Sequence, residues 1–392
     1  MSQNEKVILP GSTIGVLGGG QLGRMVVEAG SSLGYRFVTL DPTENGPMGQ
    51  VSKQVTAKYD DVEAALRLAS ESDVITYEFE NVDASVAAIL MEKSYVPQGS
   101  KLLYTTQHRL REKKAIEAAG VTVAPYRKIT SYESLVDAAL QLGLPAVFKT
   151  ATGGYDGKGQ FVIRKQEELE LAYSTLAQLN TELVLEQFIS FEKEISVIAA
   201  RSSSGEIKVF PPAENIHVNN ILHLSIVPAR IDLALAKQAE ELALKIAKGL
   251  DVVGLIAVEM FVTKDGQLYV NELAPRPHNS GHYTMEACYT SQFEQHVRAI
   301  CNLPLGSTRL RQPVVMVNVL GQHMPKLYEY MQKSDLLAQQ LEVEVKVHLY
   351  GKADAAYNRK MGHVNVLAHD VEAALKWIKQ TAIWQEQFNN EK

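Results

Sequence analysis

Glu259 and Glu272 stand on either side of a turn signal, and their spacing makes them partners. The stretch from Gly254 to Glu272 is two runs of β-forming residues joined at Asp265-Gly266, a favoured two-residue hairpin turn. Such a turn pairs Lys264 with Gln267, and counting back five residues on each strand pairs Glu259 with Glu272. Their Cβ atoms would then lie about 5 Å apart, a repulsive arrangement unless something compensates. Apolar neighbours (Val258, Met260, Val270, Leu273) limit the help water can give. A Mg²⁺ ion shared with nucleotide phosphates fits, because Mg²⁺ takes one or two carboxylates together with phosphate oxygens and water. The alternatives are two glutamates reaching solvent, or one held protonated.

Two glycine-rich loops suggest phosphate. Gly153 to Gly159 carries Lys158, with Tyr155 and Asp156 between its glycines. Gly159 follows that lysine where a Walker A loop has Ser or Thr. A loop of this kind can still fold over the β- and γ-phosphates with backbone donors and one point charge. Lys149, at the end of the preceding strand, offers a second charge, and the competing reading is a surface hairpin. The other loop, Gly18-x-Gly20-x-x-Gly23, sits between a strand and a helix, with Asp41 ending the next strand. That matches the dinucleotide-binding fingerprint. Tight turn geometry accounts for the glycines equally well, so an NAD(P)-dependent oxidoreductase is a rival class.

The elements that must position these residues alternate. Strands are expected at 13–18, 35–40 and 73–77, with helices at 24–33 and 61–70, an α/β unit with a parallel sheet. A helix at 110–119 ends at Gly120, a strand at 145–149 leads into the lysine-bearing loop, and a helix follows at 167–179. Strands at 182–186 and 194–201 precede a turn between strands at Ser202 to Gly205. A long helix is expected at 232–248, another at 284–300, and a terminal one at 371–384. At 392 residues the chain exceeds one core. We divide it into 1–110 (Rossmann-like), 111–307 (with a lid subdomain at about 120–190) and 308–392 (small, mixed).

Composition narrows the function classes. A net charge of −6 leaves no excess of Lys and Arg for a broad nucleic-acid surface. Cys288 and Cys301 form neither a disulfide framework nor metal-ligand spacing. No apolar run is long enough to span a bilayer, and Met1 to Pro10 lacks the pattern of a signal peptide. A cytoplasmic protein with no membrane partner is expected.

Taken together, these motifs resemble the ATP-grasp ligases, most closely the branch that carboxylates aminoimidazole ribonucleotide. The likeness covers nearly the whole chain: Gly18 to Gly23, the acidic strand end Tyr77 to Asn81, Gly153 to Gln160, Glu186 to Ile189 with Glu194, Asn271 to His282, and Arg359 to His363. Asn279-Ser280 replaces the Asp-Thr of the formate-using glycinamide ribonucleotide enzyme, the alternative within the superfamily. The resemblance implies an ATP-grasp fold of mixed α/β and α+β character, with a pre-ATP-grasp domain and a small C-terminal domain. It implies ATP and two Mg²⁺ ions as cofactors, bicarbonate as co-substrate, no NAD, carboxyphosphate as intermediate, and a homodimer.

The roles it carries are these. Arg109 and Lys149 contact ATP phosphates, and Gly154, Tyr155, Asp156, Gly157, Lys158, Gly159 and Gln160 close over them. Glu186, Gln187, Phe188 and Ile189 hold adenine, Glu194 the ribose, and His217 lies beside the nucleotide. Glu259 and Glu272 bind metal, with Asn271 adjoining. Lys158, Arg276 and Lys360 serve catalysis. Gln21, Leu22, Glu80, Tyr155, Asp156, Arg276, His278, Asn279, Lys352, Arg359 and Lys360 face the ribonucleotide or bicarbonate. His278 and His282 are candidate proton carriers or buried structural histidines. The chain departs from the superfamily at His108, where Asp often precedes the arginine, and at Ala274, where many members have a metal-binding Asn.

Overall fold

The computed structural model describes residues 6–79, 82–153 and 159–385. Glu80 and the loop residues Gly154, Tyr155, Asp156, Gly157 and Lys158 lie outside the described residues.

The first sheet has four parallel strands, β1 (Thr13–Leu17), β2 (Arg36–Asp41), β3 (Lys53–Thr56) and β4 (Val74–Tyr77), in the order β3-β2-β1-β4. Ile14, Val16, Leu40 and Val74 are buried, as expected where helices cover both faces. On one face, Met25 and Val26 of the helix Gln21–Ser32 join a core with Phe293 and Val297 of the helix Gln292–Ile300. A helix from far along the chain thus packs the first unit against the rest.

The second sheet is antiparallel and contains β5 (Tyr126–Ile129), β6 (Ala146–Thr150), β7 (Gln160–Ile163) and β8 (Leu183–Gln187), in the order β5-β8-β6-β7. Its core of Ile129, Phe148, Leu169 and Leu185 includes the helix Tyr132–Leu142. Ser131 and Ser134 start that helix with a reciprocal capping box.

The third sheet holds β9 (Phe191–Arg201), β10 (Ile207–Val209), β11 (Ala213–Val218), β12 (Ile221–Val227), β13 (Gly254–Thr263), β14 (Leu268–Ala274), β15 (Val314–Leu320), β16 (Glu344–Leu349) and β17 (Lys360–Leu367). Its order is β14-β13-β9-β11-β12-β15-β17-β16, with β10 on β9. Because β15 pairs with β12, the last strands of the chain extend this sheet.

Two expectations need correction. The single helix at 284–300 is two, Thr284–Ala287 and Gln292–Ile300. Cys288 leaves to bridge with Leu310, and Ser291 caps the second helix by accepting from the Glu294 N–H. The hairpin turn is also not the two-residue turn at Asp265-Gly266. Thr263 closes a three-residue loop against Gln267, and Gly266 takes φ +78°, the left-handed position such loops require.

Candidate active site

That longer loop should have put Glu259 out of step with Glu272. A bulge restores the pairing. Phe261 faces Tyr269 and Met260 faces Val270, then the register shifts past Asn271 so that Glu259 faces Glu272. The extra residue at a bulge re-aims side chains at a strand's functional end. The two glutamates therefore meet as expected, through two offsetting local irregularities.

The pair has distinct surroundings. Glu259 Oε1 lies 3.0 Å from His278 Nε2. Burial raises the Glu259 carboxyl, but His278 outweighs it and the net direction is down. Burial, then the Glu259 charge, pushes Glu272 up. Arg109 Nη1 is 3.5 Å from Glu272 Oε2. Just behind, Glu112 is buried and accepts from the Leu273 N–H at 2.8 Å. Burial and the nearby Glu272 charge push Glu112 up to about 8. Glu259 and Glu272 face each other across paired strands with the helical Glu112 behind them, so a cation would relieve the repulsion of the facing pair. Among the described residues no closed group of three or more acidic, His or Cys ligands forms. The donor set fits Mg²⁺, which leaves positions for phosphate oxygens and water.

Lys149, on β6, reaches Glu186 on β8, with Nζ 2.9 Å from Oε2. Lys113 approaches the other oxygen of Glu186 at 3.3 Å. Burial raises Glu186, yet Lys149 and Lys113 overcome it and hold the carboxyl at about 2. Burial, first of all, lowers Lys149. Lys113 is 1% exposed. Sequence reasoning missed it, because the run Arg109 to Lys114 reads as a solvated charged face. The only hint is its place one helical turn after Arg109. The amides of Gln187 and Phe188 already bond Pro125 and Pro145 carbonyls, so the candidate adenine segment is anchored on both sides.

On β9 and β11, Glu194 Oε2 lies 3.3 Å from His217 Nδ1. Burial lowers His217, but Glu194, by hydrogen bond and charge, wins and raises it. His217 also feels the charges of Glu259 and Lys360. The Asn279 side-chain amide is buried with no hydrogen-bond partner among the described residues. Arg276 donates to the Pro277 carbonyl at 3.2 Å, and its charge reaches both Glu259 and Glu78.

The first glycine loop is not open to a dinucleotide. The Gly20 and Gly23 N–H groups both donate to the carboxylate of Glu78, at the end of the neighbouring strand. Asp41 accepts from the Gly19 N–H at 2.7 Å and from Tyr59 Oη at 2.5 Å. The chain's own carboxylates thus fill the donors that would cradle a pyrophosphate, and Asp41 is a structural anchor. A Cβ on Gly20 would lie 2.6 Å from Glu78 Oε1, so the close approach needs glycine. Gln21 and Leu22 open the helix just beyond.

Lys352, one of the candidate phosphate residues, follows Gly351, which is tied to the helix after this loop. Gln50 bridges the Arg24 guanidinium, at 2.9 Å, to the Gly351 carbonyl, at 2.7 Å. Lys352 donates to the Lys360 carbonyl at 2.8 Å. Burial, then Arg359 and Lys360, lowers Lys352 to about 8. Arg359 leans outward to the Asp354 carbonyl at 2.9 Å. His282 is no solvent-facing proton carrier. It is 1% exposed, its ring lies 4.6 Å from that of His363, and burial drives its pKa well below the ordinary value. His108 pairs with Glu182, Nε2 to Oε2 at 2.7 Å, tying the start of the helix Arg109–Ala118 to the second sheet.

Comparison with known proteins agrees with this frame. Residues 11–107 match the ribonucleotide synthetase pre-ATP-grasp domain, 114–293 the ATP-grasp domain, and 314–376 the phosphoribosylaminoimidazole carboxylase C-terminal domain. The N5-carboxyaminoimidazole ribonucleotide synthase of Bacillus subtilis is 49% identical over 378 residues, 96% of each chain. This chain belongs to the N5-carboxyaminoimidazole ribonucleotide synthases. The Brucella melitensis synthase is 43% identical over 356 residues, covering 91% of this chain and 96% of that one. The Staphylococcus aureus synthetase complexed with ADP superposes with a TM-score of 0.89 at 38% identity, covering 97% of this chain and 100% of that one. An Aspergillus clavatus synthase in complex with ADP and 5-aminoimidazole ribonucleotide superposes at 0.85 and 32% identity, covering 94% and 96%. In this synthase family member, sequence reasoning misses Lys113 and Glu112 as parts of the site's support and gives Glu78, within the acidic strand end Tyr77 to Asn81, no role of its own, since each finds its partners far along the chain.

Proposed function

We propose that the chain uses ATP and bicarbonate to carboxylate the exocyclic amine of 5-aminoimidazole ribonucleotide, giving the N5-carboxy product, ADP and phosphate in purine synthesis. The observation that carries this reading beyond kinship is the position of His217. Its Nδ1 lies 3.3 Å from Glu194, and its protonation responds to both Glu259 and Lys360, which supports a nucleotide site and a basic cluster that share one neighbourhood.

A bicarbonate oxygen attacks the γ-phosphorus and ADP leaves. The amine nitrogen then attacks the carboxyl carbon of carboxyphosphate, phosphate leaves, and the nitrogen sheds its proton. Bound Mg²⁺, two ions held by Glu259 and Glu272 with Asn271 adjoining, would neutralise charge on the transferred phosphoryl group. Arg109 and Lys149 would steady the phosphates, Glu186 to Ile189 the adenine, and Glu194 the ribose. Arg276 suits a planar oxyanion by its guanidinium geometry. The unpartnered Asn279 amide offers a donor and an acceptor to bicarbonate or substrate. Lys352, Arg359 and Lys360, beside Gln21 and Leu22, would receive the ribonucleotide phosphate. The loop with Lys158, closing with Gly159 and Gln160, would exclude water from carboxyphosphate. We further propose a cytoplasmic homodimer; among the described residues no helix is long and apolar enough to cross a membrane.

ADP release tests the reading. With bicarbonate present, aminoimidazole ribonucleotide should stimulate release, and formate with glycinamide ribonucleotide should not. Stimulation by the second pair alone would replace this reaction with the formate-dependent one.

A further inference from the structure

Behind Glu259 runs a buried file of polar side chains that the reaction scheme does not use. Ser225 on β12 donates to Asn215 Oδ1 at 2.8 Å. Asn215 on β11 donates through Nδ2 to Ser196 Oγ at 2.9 Å. Ser196 on β9 donates to Ser280 Oγ at 2.7 Å, and Ser280 Oγ lies 2.8 Å from His278 Nδ1. The four residues before His278 are 0% to 6% exposed, so water does not break the file.

A hydroxyl has one hydrogen to give. With Asn215 giving to Ser196, every hydroxyl hydrogen in the file is used when Ser196 gives to Ser280 and Ser280 gives to His278. In that arrangement Nδ1 is an acceptor and the ring proton belongs on Nε2, which faces Glu259 Oε1 at 3.0 Å. Turning the Asn215 amide over would reverse every donor and demand a proton on Nδ1. The Ser280 backbone N–H already points at that nitrogen, at 3.4 Å. Gln292 clamps the His278 backbone from both sides, accepting its N–H at 2.9 Å and donating to its carbonyl at 2.7 Å.

We infer that Ser225, Asn215, Ser196 and Ser280 are positioning residues that fix the Nε2–H tautomer of His278, so that it holds Glu259 by one oxygen and leaves the other for the cation. His278 is then a donor to a metal-binding carboxylate. Partners behind a ligand commonly set its orientation in this way. The cation half of the inference rests on the function proposed above; the tautomer half does not.

The test begins with nitrogen NMR on the full chain carrying ¹⁵N-histidine, without nucleotide or metal, with His278→Gln to assign the ring. The expected result is a bare Nδ1 and a protonated Nε2. Ser280→Ala should shift His278 toward a mixture of tautomers and raise the Mg²⁺ concentration for half-maximal turnover by roughly tenfold to a hundredfold. Ser196→Ala should move both in the same direction by less. A proton on Nδ1 in the unaltered chain would overturn the inference whatever the cation does. So would a Ser280→Ala protein whose tautomer and Mg²⁺ dependence match the parent. An intact tautomer signature in a chain whose turnover ignores Mg²⁺ would support the tautomer and overturn the cation role alone.

Discussion

Glu186→Gln isolates the energetics of the buried lysine pair. The carboxylate serves Lys149 at 2.9 Å and Lys113 at 3.3 Å, residues only 8% and 1% exposed. A carboxyl held at about 2 against an ordinary 4.5 corresponds to about 3 kcal/mol at neutral pH. That falls at the low end of the cost of breaking a buried pair, about 3–5 kcal/mol, because two ammoniums are left without their counter-charge. The assay is hydrogen exchange of the β6 and β8 amides, which reports local opening of the second sheet; roughly a hundredfold faster exchange is expected. The sign follows from a folded-state pKa below the ordinary one. The stabilisation is fully present above about pH 4.5 and is lost as pH falls toward about 2. The gap between parent and variant should therefore hold constant from about pH 6 to 8 and narrow below about pH 4.5. Lys113→Met, which leaves the Lys149 pair intact, should cost less, and the double variant should regain part of the loss. Exchange within threefold of the parent for Glu186→Gln at pH 7 would refute the reasoning.

Four further outcomes are expected. Glu272→Gln should lower ADP release at least roughly a hundredfold, while circular dichroism and melting stay near the parent's. Lys352 sits at about 8, so its charge is present below that pH and lost above it. The KM for ribonucleotide should climb above about pH 8, and Lys352→Met should flatten that climb. His108→Asp turns the 2.7 Å contact with Glu182 into a like-charge pair; since Glu182 is well exposed, differential scanning should find a loss under about 1 kcal/mol. NADH titrated into the protein should show no fluorescence transfer, because Glu78 and Asp41 occupy the glycine-loop donors.

The sequence alone determined what local chemistry controls. Hydrophobic alternation and turn signals placed the strands of the first unit and the two runs carrying Glu259 and Glu272. Glycine spacing marked both loops, and the segment from Asn271 to His282 carried the family resemblance. Even there the geometry came out right for an incomplete reason. The three-residue loop and the Asn271 bulge each shift the register by one and cancel.

Only the tertiary structure decided which groups meet across long stretches of chain. Glu78 meets Gly20 and Gly23 more than 50 residues earlier. Lys113 meets Glu186, Glu112 meets the Leu273 amide, and Ser196 meets Ser280 across 84 residues. Apart from its place one helical turn after Arg109, no local feature marks Lys113 as buried, because a charged residue is burial-competent only once a distant partner supplies its counter-charge. The same holds for the glycine loop. Its backbone donors are identical in either reading, and the carboxylate folded onto them, not the spacing of the glycines, settles that they hold the chain's own acid.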